Sequence, residues 1–191
     1  MSQAQLRGQE SNYDAVFNLD GLPGYQDIRP TVSSLFCLNR KSVLLVQSAK
    51  DESGHTWGLP QGGIHPGESI WESLLRESME ELGICLDDDN RQNALPLAKF
   101  LNQLPSDRRN KEKMIYFAGV PIFRYPCVTL NENEITDFEW VKDWNHLWRM
   151  MGTLERERID KCNAVWSAVE IAIDLNLLAW PKRPDYMSIV R

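Results

Sequence analysis

The 191-residue chain has no apolar run long enough to cross a membrane, and its N-terminus lacks the basic-then-apolar order of a signal peptide. The best apolar stretch, residues 164–180, is interrupted by Glu170, Asp174 and Asn176. The sequence also has no internal repeat and no low-complexity linker. These absences argue against a membrane protein or a repeat array, and they predict a cytoplasmic protein.

Cysteine and positive charge are also scarce. None of the four cysteines (Cys37, Cys85, Cys127 and Cys162) stands two residues from another, and no histidine stands beside them at metal-ligand spacing. Zinc sites and a disulfide framework are therefore disfavoured, and reduced, mostly buried thiols are expected. The formal net charge of −6 disfavours binding to a DNA duplex. Metal ions and a local basic patch can still admit a phosphorylated substrate.

Length and composition indicate one globular domain, with 42% hydrophobic and 25% charged residues. We expect residues 1–24 to form a partly flexible N-terminal extension and residues 25–191 to form a single domain. Two strands, 31–38 and 42–48, read as a hairpin around a polar turn. Three more strands are predicted at 97–104, 113–123 and 137–142, and irregular loops at 51–60, 61–67 and 105–112.

Two helices complete the predicted fold. The first covers Ile70–Leu82, with Ser69 and Glu72 at capping-box spacing and Gly83 placed to end it. Its apolar stripe holds Trp71, Leu74, Leu75 and Leu82, with small Ser78. The second helix is predicted at Leu154–Ala179. This order of elements favours an α+β fold, a mixed β-sheet between helices in an α/β/α sandwich.

The first helix carries three glutamates on one flank. At about 100° per residue, Glu77 and Glu81 lie one turn apart and Glu80 lies about 60° away. Their repulsion would be relieved by a hard divalent cation, which prefers oxygen ligands. The alternative is a solvated charged face, in which Glu72, Arg76 and Glu80 pair along the helix. Gly62, Gly63 and Gly67 precede the helix and favour the cation site, since glycines allow a backbone to approach a ligand closely.

Together these residues resemble the Nudix box, G-x5-E-x7-R-E-U-x-E-E-x-G-U, where U is bulky and apolar. Gly62, Glu68, Arg76, Glu77, Glu80, Glu81, Gly83 and Ile84 fall in register over residues 62–84, and Ser78 at the first U position is the one departure. The resemblance implies the Nudix fold and a hydrolase that cleaves phosphoanhydride bonds in nucleoside diphosphates linked to another moiety.

The same resemblance implies roles for individual residues. Glu77, Glu80 and Glu81 would bind Mg²⁺ or Mn²⁺, with more than one ion when substrate is present, and the Gly62 carbonyl would lie nearby. Arg76 and Glu68 would hold the loop and helix together. Glu134 would add a carboxylate from a later loop. Either Glu81 or Glu134 would act as the general base, because one carboxylate must reach the attacking water.

The segment Trp57–Gly63, with Gln61 before the glycine pair, is similar to RNA pyrophosphohydrolases and dinucleoside polyphosphate hydrolases. Substrate-binding candidates are Trp57, Gln61 and the basic cluster Arg108, Arg109, Lys111 and Lys113, although the cluster equally fits a solvated hairpin loop. Phe100 stands near the place of an aromatic residue of the dinucleoside polyphosphate hydrolases. The tryptophans at 140, 144 and 148 fit a buried core better than base stacking.

The expected substrate is a nucleotide or RNA 5′ end, chiefly 5′-triphosphate RNA, from which pyrophosphate is removed, or a dinucleoside polyphosphate. A second interpretation keeps the chemistry but takes ADP-ribose, a sugar nucleotide or a nucleoside triphosphate. The proline typical of the ADP-ribose enzymes is absent from its usual place, since Pro96 lies too close to the box. A third interpretation is a non-catalytic nucleotide-binding regulator, which usually loses box carboxylates that this chain retains.

Overall fold

The computed structural model of the chain describes residues 28–49, 57–102, 112–151 and 159–184. The expected N-terminal extension, residues 1–24, lies outside the described residues. So do the basic residues Arg108, Arg109 and Lys111.

A mixed seven-stranded sheet forms the centre of the described part. Its main order is β3-β2-β1-β6-β5, with β4 paired to β1 and β7 paired to β2. Only the long β1–β6 pair is parallel, and the other pairs are antiparallel. The strands are β1 (Ile28–Leu38), β2 (Ser42–Ser48), β3 (Trp57–Gly58), β4 (Gln61–Gly63), β5 (Leu95–Asn102), β6 (Glu112–Ile122) and β7 (Ile135–Val141).

The predicted β1–β2 hairpin is confirmed, and its turn uses positive φ at Asn39 and Arg40. The strands diverge beyond the turn, because the first half of β1 pairs with β4 and the second half of β2 pairs with β3. The loops predicted at 51–60 and 61–67 therefore each contain a short strand, which is a correction. Neither strand has a local hairpin signal, since both pair with distant residues.

Four helices lie in the described part: α1 (Ile70–Leu82), α2 (Asp88–Asn93), α3 (Trp144–Met151) and α4 (Ile159–Asp174). Helix α1 has its predicted bounds, its Ser69–Glu72 capping box and a left-handed Gly83 at its end. The short helices α2 and α3 were not predicted. Helix α4 ends earlier than expected, because Asn176 takes the left-handed conformation (φ 63°) well before Pro181.

Two hydrophobic cores lie on opposite faces of the sheet. On one face, α1 packs through Trp71 and Leu74, which are 4% and 0% exposed. On the other, α3 and α4 pack through residues such as Leu147, Trp166 and Val169. The predicted mixed sheet between helices is confirmed. Trp144 belongs to the second core and partly buried Trp148 packs against it, as the core interpretation required, whereas partly buried Trp140 packs against the first core.

The segment after α4 returns to the β1–β2 turn. The Ala179 amide donates to the Arg40 carbonyl (2.7 Å), and the Trp180 indole donates to the Lys41 carbonyl (2.8 Å). The Trp144 indole donates to the Pro181 carbonyl (2.8 Å) and its ring meets that of Trp180 edge to face. The end of the described chain is thus tied to both the hairpin and α3.

The structure bears on two sequence expectations, the lack of a membrane-spanning segment and the state of the cysteines. In the described part, no helix combines the length and the apolar character that a membrane crossing requires. All four cysteines are free thiols, as expected. Only Cys37 and Cys162 are buried, whereas Cys85 and Cys127 are exposed, so the expectation of mostly buried thiols holds for half of them. Burial raises the pKa of the Cys37 thiol to about 12.

Candidate active site

The glycine-rich segment is held against the sheet on one side and against α1 on the other. Strand β4 pairs Gly62 with Val32 of β1, and the Ile64 amide donates to the Pro30 carbonyl (3.0 Å). The Ser73 hydroxyl lies 3.5 Å from the Gly63 carbonyl, at the limit of a hydrogen bond. The backbone before α1 is therefore fixed relative to the residues that the helix presents.

Arg76 joins this segment to the helix. Its Nε and Nη2 donate to the Glu68 carboxylate (2.7 and 3.0 Å), and Nη2 also donates to the Gly63 carbonyl (2.7 Å). Its Nη1 donates to Glu77 (2.5 Å) and Glu80 (3.1 Å). One guanidinium thus spans the loop and two of the three box glutamates, a geometry that the shorter ammonium of lysine would not reproduce.

Glu68 is the strongest partner of Arg76. Hydrogen bonding to Arg76, followed by the bond from the His65 amide, lowers the pKa of Glu68 to about 2. The same contact with Glu68 raises the pKa of Arg76 above its ordinary value. Both groups are therefore charged across the physiological pH range. The pair acts as an ionic link between the loop and the helix.

Glu77 occupies the space directly beside Gly62. A Cβ atom on Gly62 would lie 1.7 Å from the Glu77 carboxyl carbon and 1.9 and 2.0 Å from its oxygens. Real Cβ atoms do not approach other atoms so closely, so the carboxylate can take this position only because residue 62 has no side chain. The sequence suggested a close approach to the glycine loop, and the structure shows that the approaching group is the Glu77 carboxylate.

The box glutamates differ in burial. Glu77 and Glu81 are only 8% and 5% exposed, whereas the Glu80 side chain is 56% exposed. Burial is the main reason that the pKa of Glu77 is raised, and the charges of Glu80 and Glu134 raise it further against the opposing effect of Arg76. Negative charge is thus concentrated at a buried position, where a cation would be stabilising.

Glu134 reaches this region from a different element. The Thr129 and Asn131 amides donate to the carbonyls of Leu82 and Glu81 (2.8 and 3.1 Å), which fastens the preceding segment to the end of α1. The Glu134 amide then donates to the Asn131 carbonyl (2.8 Å), and the Glu134 carbonyl accepts from Ala49 (2.8 Å). Sequence reasoning selected Glu134 but missed the anchoring role of Thr129 and Asn131, which their backbones perform without a side-chain signal.

The predicted substrate-binding residues in the described part lie on three different strands. Trp57 lies in β3 opposite Gln47 and packs partly against the α3–α4 core, and Gln61 lies in β4 opposite Ser33. Lys113 lies in β6, opposite Arg29 and Asn102, and the other three members of the basic cluster are outside the described residues. Ser73 was not predicted, although it is fully buried and accepts a hydrogen bond from Arg76 (3.3 Å). Its spacing of three from Arg76 on one helix was the available signal.

The donor set fits a hard divalent cation. Glu77, Glu81 and Glu134 offer carboxylate oxygens, and Gly62 leaves the space that the Glu77 carboxylate uses. Within the described residues, no group of three or more His, Cys, Asp or Glu side chains is arranged so that it could hold a metal ion. Glu77 and Glu80 instead contact Arg76. A partial protein ligand set suits magnesium, which commonly completes its coordination with water and substrate phosphates.

Residues 27–154 match the family model of the NUDIX domain, and the chain therefore belongs to the Nudix family. The family suggested by the box residues is thus confirmed. Nudix hydrolases depend on divalent metals, which agrees with the carboxylate-rich donor set.

Two curated relatives and one solved structure illustrate the similarity. The RNA pyrophosphohydrolase of Proteus mirabilis is 40% identical over 60 residues, covering 31% of this chain and 32% of that protein. The human 8-oxo-dGDP phosphatase NUDT18 is 45% identical over 53 residues, covering 28% of this chain and 16% of that protein. The chain thus matches about a third or less of the length of these relatives.

The NUDIX domain of Shewanella oneidensis NrtR, solved in complex with ADP ribose, has a TM-score of 0.57 at 18% identity. The match covers 89% of this chain and 98% of that one. At this identity the likeness bears on the fold alone, and it agrees with the mixed sheet between helices.

Proposed function

We propose that the chain is a metal-dependent hydrolase of phosphoanhydride bonds, acting on a nucleoside diphosphate linked to another moiety. Its preferred substrates are 5′-triphosphate RNA, from which it removes pyrophosphate, or dinucleoside polyphosphates. The observation that carries the proposal is the placement of the Glu77 carboxylate directly beside Gly62, where a Cβ atom would be 1.7 Å away. A regulator that only binds nucleotide usually loses box carboxylates, whereas this chain retains Glu77, Glu80 and Glu81.

Glu77, Glu80 and Glu81, with the Gly62 carbonyl, would hold Mg²⁺ or Mn²⁺, and more than one ion would bind with the substrate. When bound, such ions neutralise charge on the phosphoryl oxygens and lower the pKa of a coordinated water. Arg76 positions two of these glutamates through Nη1 while its other nitrogens fix the loop. It is a positioning residue in this scheme.

The general base is Glu81 or Glu134, which lie on different structural elements. Glu81 is buried on α1, whereas Glu134 lies on the turn before β7 and is partly exposed. The base must accept a proton from the attacking water within hydrogen-bond reach. Glu134 is less buried than Glu81, so it has the better access to water that enters with the substrate.

The substrate preference rests on the segment Trp57–Gly63 and on the similarity to the Proteus mirabilis RNA pyrophosphohydrolase. Trp57, Gln61 and the basic residues Arg108, Arg109, Lys111 and Lys113 are proposed to contact the substrate. A second candidate is an oxidised nucleoside diphosphate, because the human relative that matches at 45% identity is named an 8-oxo-dGDP phosphatase.

A substrate panel with Mg²⁺ and with Mn²⁺ tests the proposal. It compares 5′-triphosphate RNA, diadenosine tetraphosphate, ADP-ribose, 8-oxo-dGDP and nucleoside triphosphates by kcat/KM. Highest kcat/KM for the RNA or the dinucleoside polyphosphate is expected. Turnover of only ADP-ribose would overturn the substrate assignment, and no metal-dependent turnover of any of these compounds would overturn the hydrolase itself.

A further inference from the structure

A second surface with the chemistry of nucleic-acid binding lies away from the box. Phe123 and Tyr125 follow β6 and are 55% and 71% exposed, which is unusual for large aromatic side chains. The Tyr125 ring meets that of Trp140 on β7 edge to face, with 6.4 Å between centroids. Arg124, which lies between Phe123 and Tyr125, and Lys142, which directly follows β7, are also exposed. We call these five residues the aromatic–basic patch.

The β1–β2 turn brings the two parts of this patch together. The Asn39 amide in the turn donates to the carbonyl of Ile122 at the end of β6 (2.8 Å). Val43, directly after the turn, pairs with Val141 at the end of β7. The residues that follow β6 and β7 therefore emerge at the same end of the sheet, which is a consequence of the fold and not of sequence proximity.

The charges of the patch differ from those of the chain as a whole. The chain carries a net charge of −6, yet both charged members of the patch are cations. Neither Arg124 nor Lys142 forms an ion pair with another residue in the part of the chain that the structure describes. The nearby Asp143 carboxylate accepts a hydrogen bond from the His146 amide at the start of α3. The two cations are thus available to an anionic partner.

The patch and the candidate active site are connected by one strand. Glu134 directly precedes β7, and Trp140 lies near its far end, about 20 Å away at roughly 3.3 Å per residue. Phe138 and Trp140 pack on the same core as α1, so the patch lies on the side of the sheet that carries the box helix. The segment from Tyr125 to Glu134 runs between the two sites, since Thr129 and Asn131 bond to the end of α1.

We infer that the aromatic–basic patch binds the single-stranded body of an RNA whose 5′ end occupies the candidate active site. This inference rests on the proposed function. Exposed rings stack on any base, and adjacent cations contact the phosphates between bases, which is how single strands are bound without sequence preference. A mononucleotide in the candidate active site is too short to reach a surface about 20 Å from Glu134, whereas an RNA strand is long enough. The patch would therefore favour RNA over small nucleotides.

The test measures RNA binding separately from hydrolysis. An RNA of about ten nucleotides, within the usual site size for single strands, carries a 5′ monophosphate and a 3′ fluorophore, so it offers no phosphoanhydride to cleave. Tyr125→Ala should raise the Kd, measured by fluorescence anisotropy, about tenfold, since one base–aromatic stack is lost. Arg124→Glu should raise the Kd and flatten its dependence on salt concentration.

Matched controls lie on the other face of the sheet. Arg149→Glu makes the same charge change on α3, and Leu175→Ala removes an exposed apolar side chain after α4; neither should alter the Kd for RNA. The patch variants should keep the circular dichroism spectrum and the urea unfolding midpoint of the parent, which shows that they are folded. Unchanged RNA binding by both Tyr125→Ala and Arg124→Glu, or no RNA binding by the parent, would overturn the inference. Weaker RNA binding by the patch variants supports the inference even if triphosphate RNA is not hydrolysed. Absence of that hydrolysis would contradict the proposed function alone.

Discussion

The Glu77 carboxylate lies where the side chain of residue 62 would be, so Gly62 and Glu77 share one space. Gly62 does not need glycine for its φ angle, since only Gly67 and Gly83 have positive φ among the described glycines. Residue 62 must be glycine because a larger side chain would occupy the space of the Glu77 carboxylate, which belongs to the candidate metal site.

Gly62→Ala should therefore damage activity more than folding. The added methyl group displaces the Glu77 carboxylate, and we expect kcat to fall about 10²-fold or more, as for loss of a positioned electrostatic group. Gly67→Ala is the contrasting control. Its Cβ meets nothing within 4 Å, but its φ of +86° is unfavourable for alanine, so stability should fall by about 1–2 kcal/mol with activity retained. Urea unfolding measures the stability of each variant, and steady-state kinetics measures its kcat. Full activity in Gly62→Ala would contradict the conclusion that Gly62 leaves space for the Glu77 carboxylate.

Glu80→Gln and Glu81→Gln test the metal ligands. Each change keeps the shape and removes one charge. A solvated helix residue would tolerate it with unchanged or slightly higher stability. A metal ligand would not, and we expect kcat at saturating Mg²⁺ to fall by about 10²–10³-fold for one or both variants. Partial recovery at high Mn²⁺ would indicate a ligand rather than a base. Near-normal turnover by both variants, with unchanged circular dichroism, would remove these carboxylates from the catalytic site.

Glu134→Gln and Glu132→Gln form a matched pair on the same turn. Glu132 is exposed, whereas Glu134 is partly buried and close enough to raise the pKa of Glu77. If Glu134 is the base, its variant should lose about 10²–10⁴-fold in kcat without recovery at high metal concentration. The Glu132 variant should behave as the parent. Equal activity in both variants would leave Glu81 as the remaining candidate base.

Glu68→Gln tests the ionic link by its pH dependence. The pKa of Glu68 is lowered from 4.5 to about 2 by Arg76, so its ion pair stabilises the fold fully above pH 4.5 and loses that effect as the pH falls towards 2. The pair is partly exposed, and we expect the variant to be about 1 kcal/mol less stable at pH 7. This difference in the free energy of unfolding should shrink through the acid range. A difference that stays constant from pH 7 to 2.5 would exclude an ionic contribution.

Helix α1 was predicted with correct bounds because its signals are local. Ser69 and Glu72 cap each other within one turn, and Gly83 ends the helix by its own backbone preference. The strands β3 and β4 were missed because their partners lie far along the chain, in β2 and β1. The end of α4 was missed for a subtler reason: Asn176 tolerates the left-handed conformation and ends the helix where a proline was expected to do so.

Some features of the candidate site were likewise predictable from local sequence, and others depend on the fold. The glutamates of α1 were predictable because a fixed spacing places them on one helix. Their different burial was not, since it depends on how α1 meets the sheet and the segment 129–134. Ser73 was overlooked because its contact with the Gly63 carbonyl depends on the fold, although its spacing of three from Arg76 on α1 was a local signal.

The match to the family ends at residue 154, but the core does not. Buried residues from Cys162 to Trp180 complete the second core, and the Ala179 and Trp180 hydrogen bonds close over the β1–β2 turn. A chain cut after residue 154 would keep every box residue and α3, yet it would expose to water the apolar surface that α4 and the segment up to Trp180 bury. Shortened forms designed from the family-model match alone should therefore expose a large apolar surface and aggregate, which light scattering would detect.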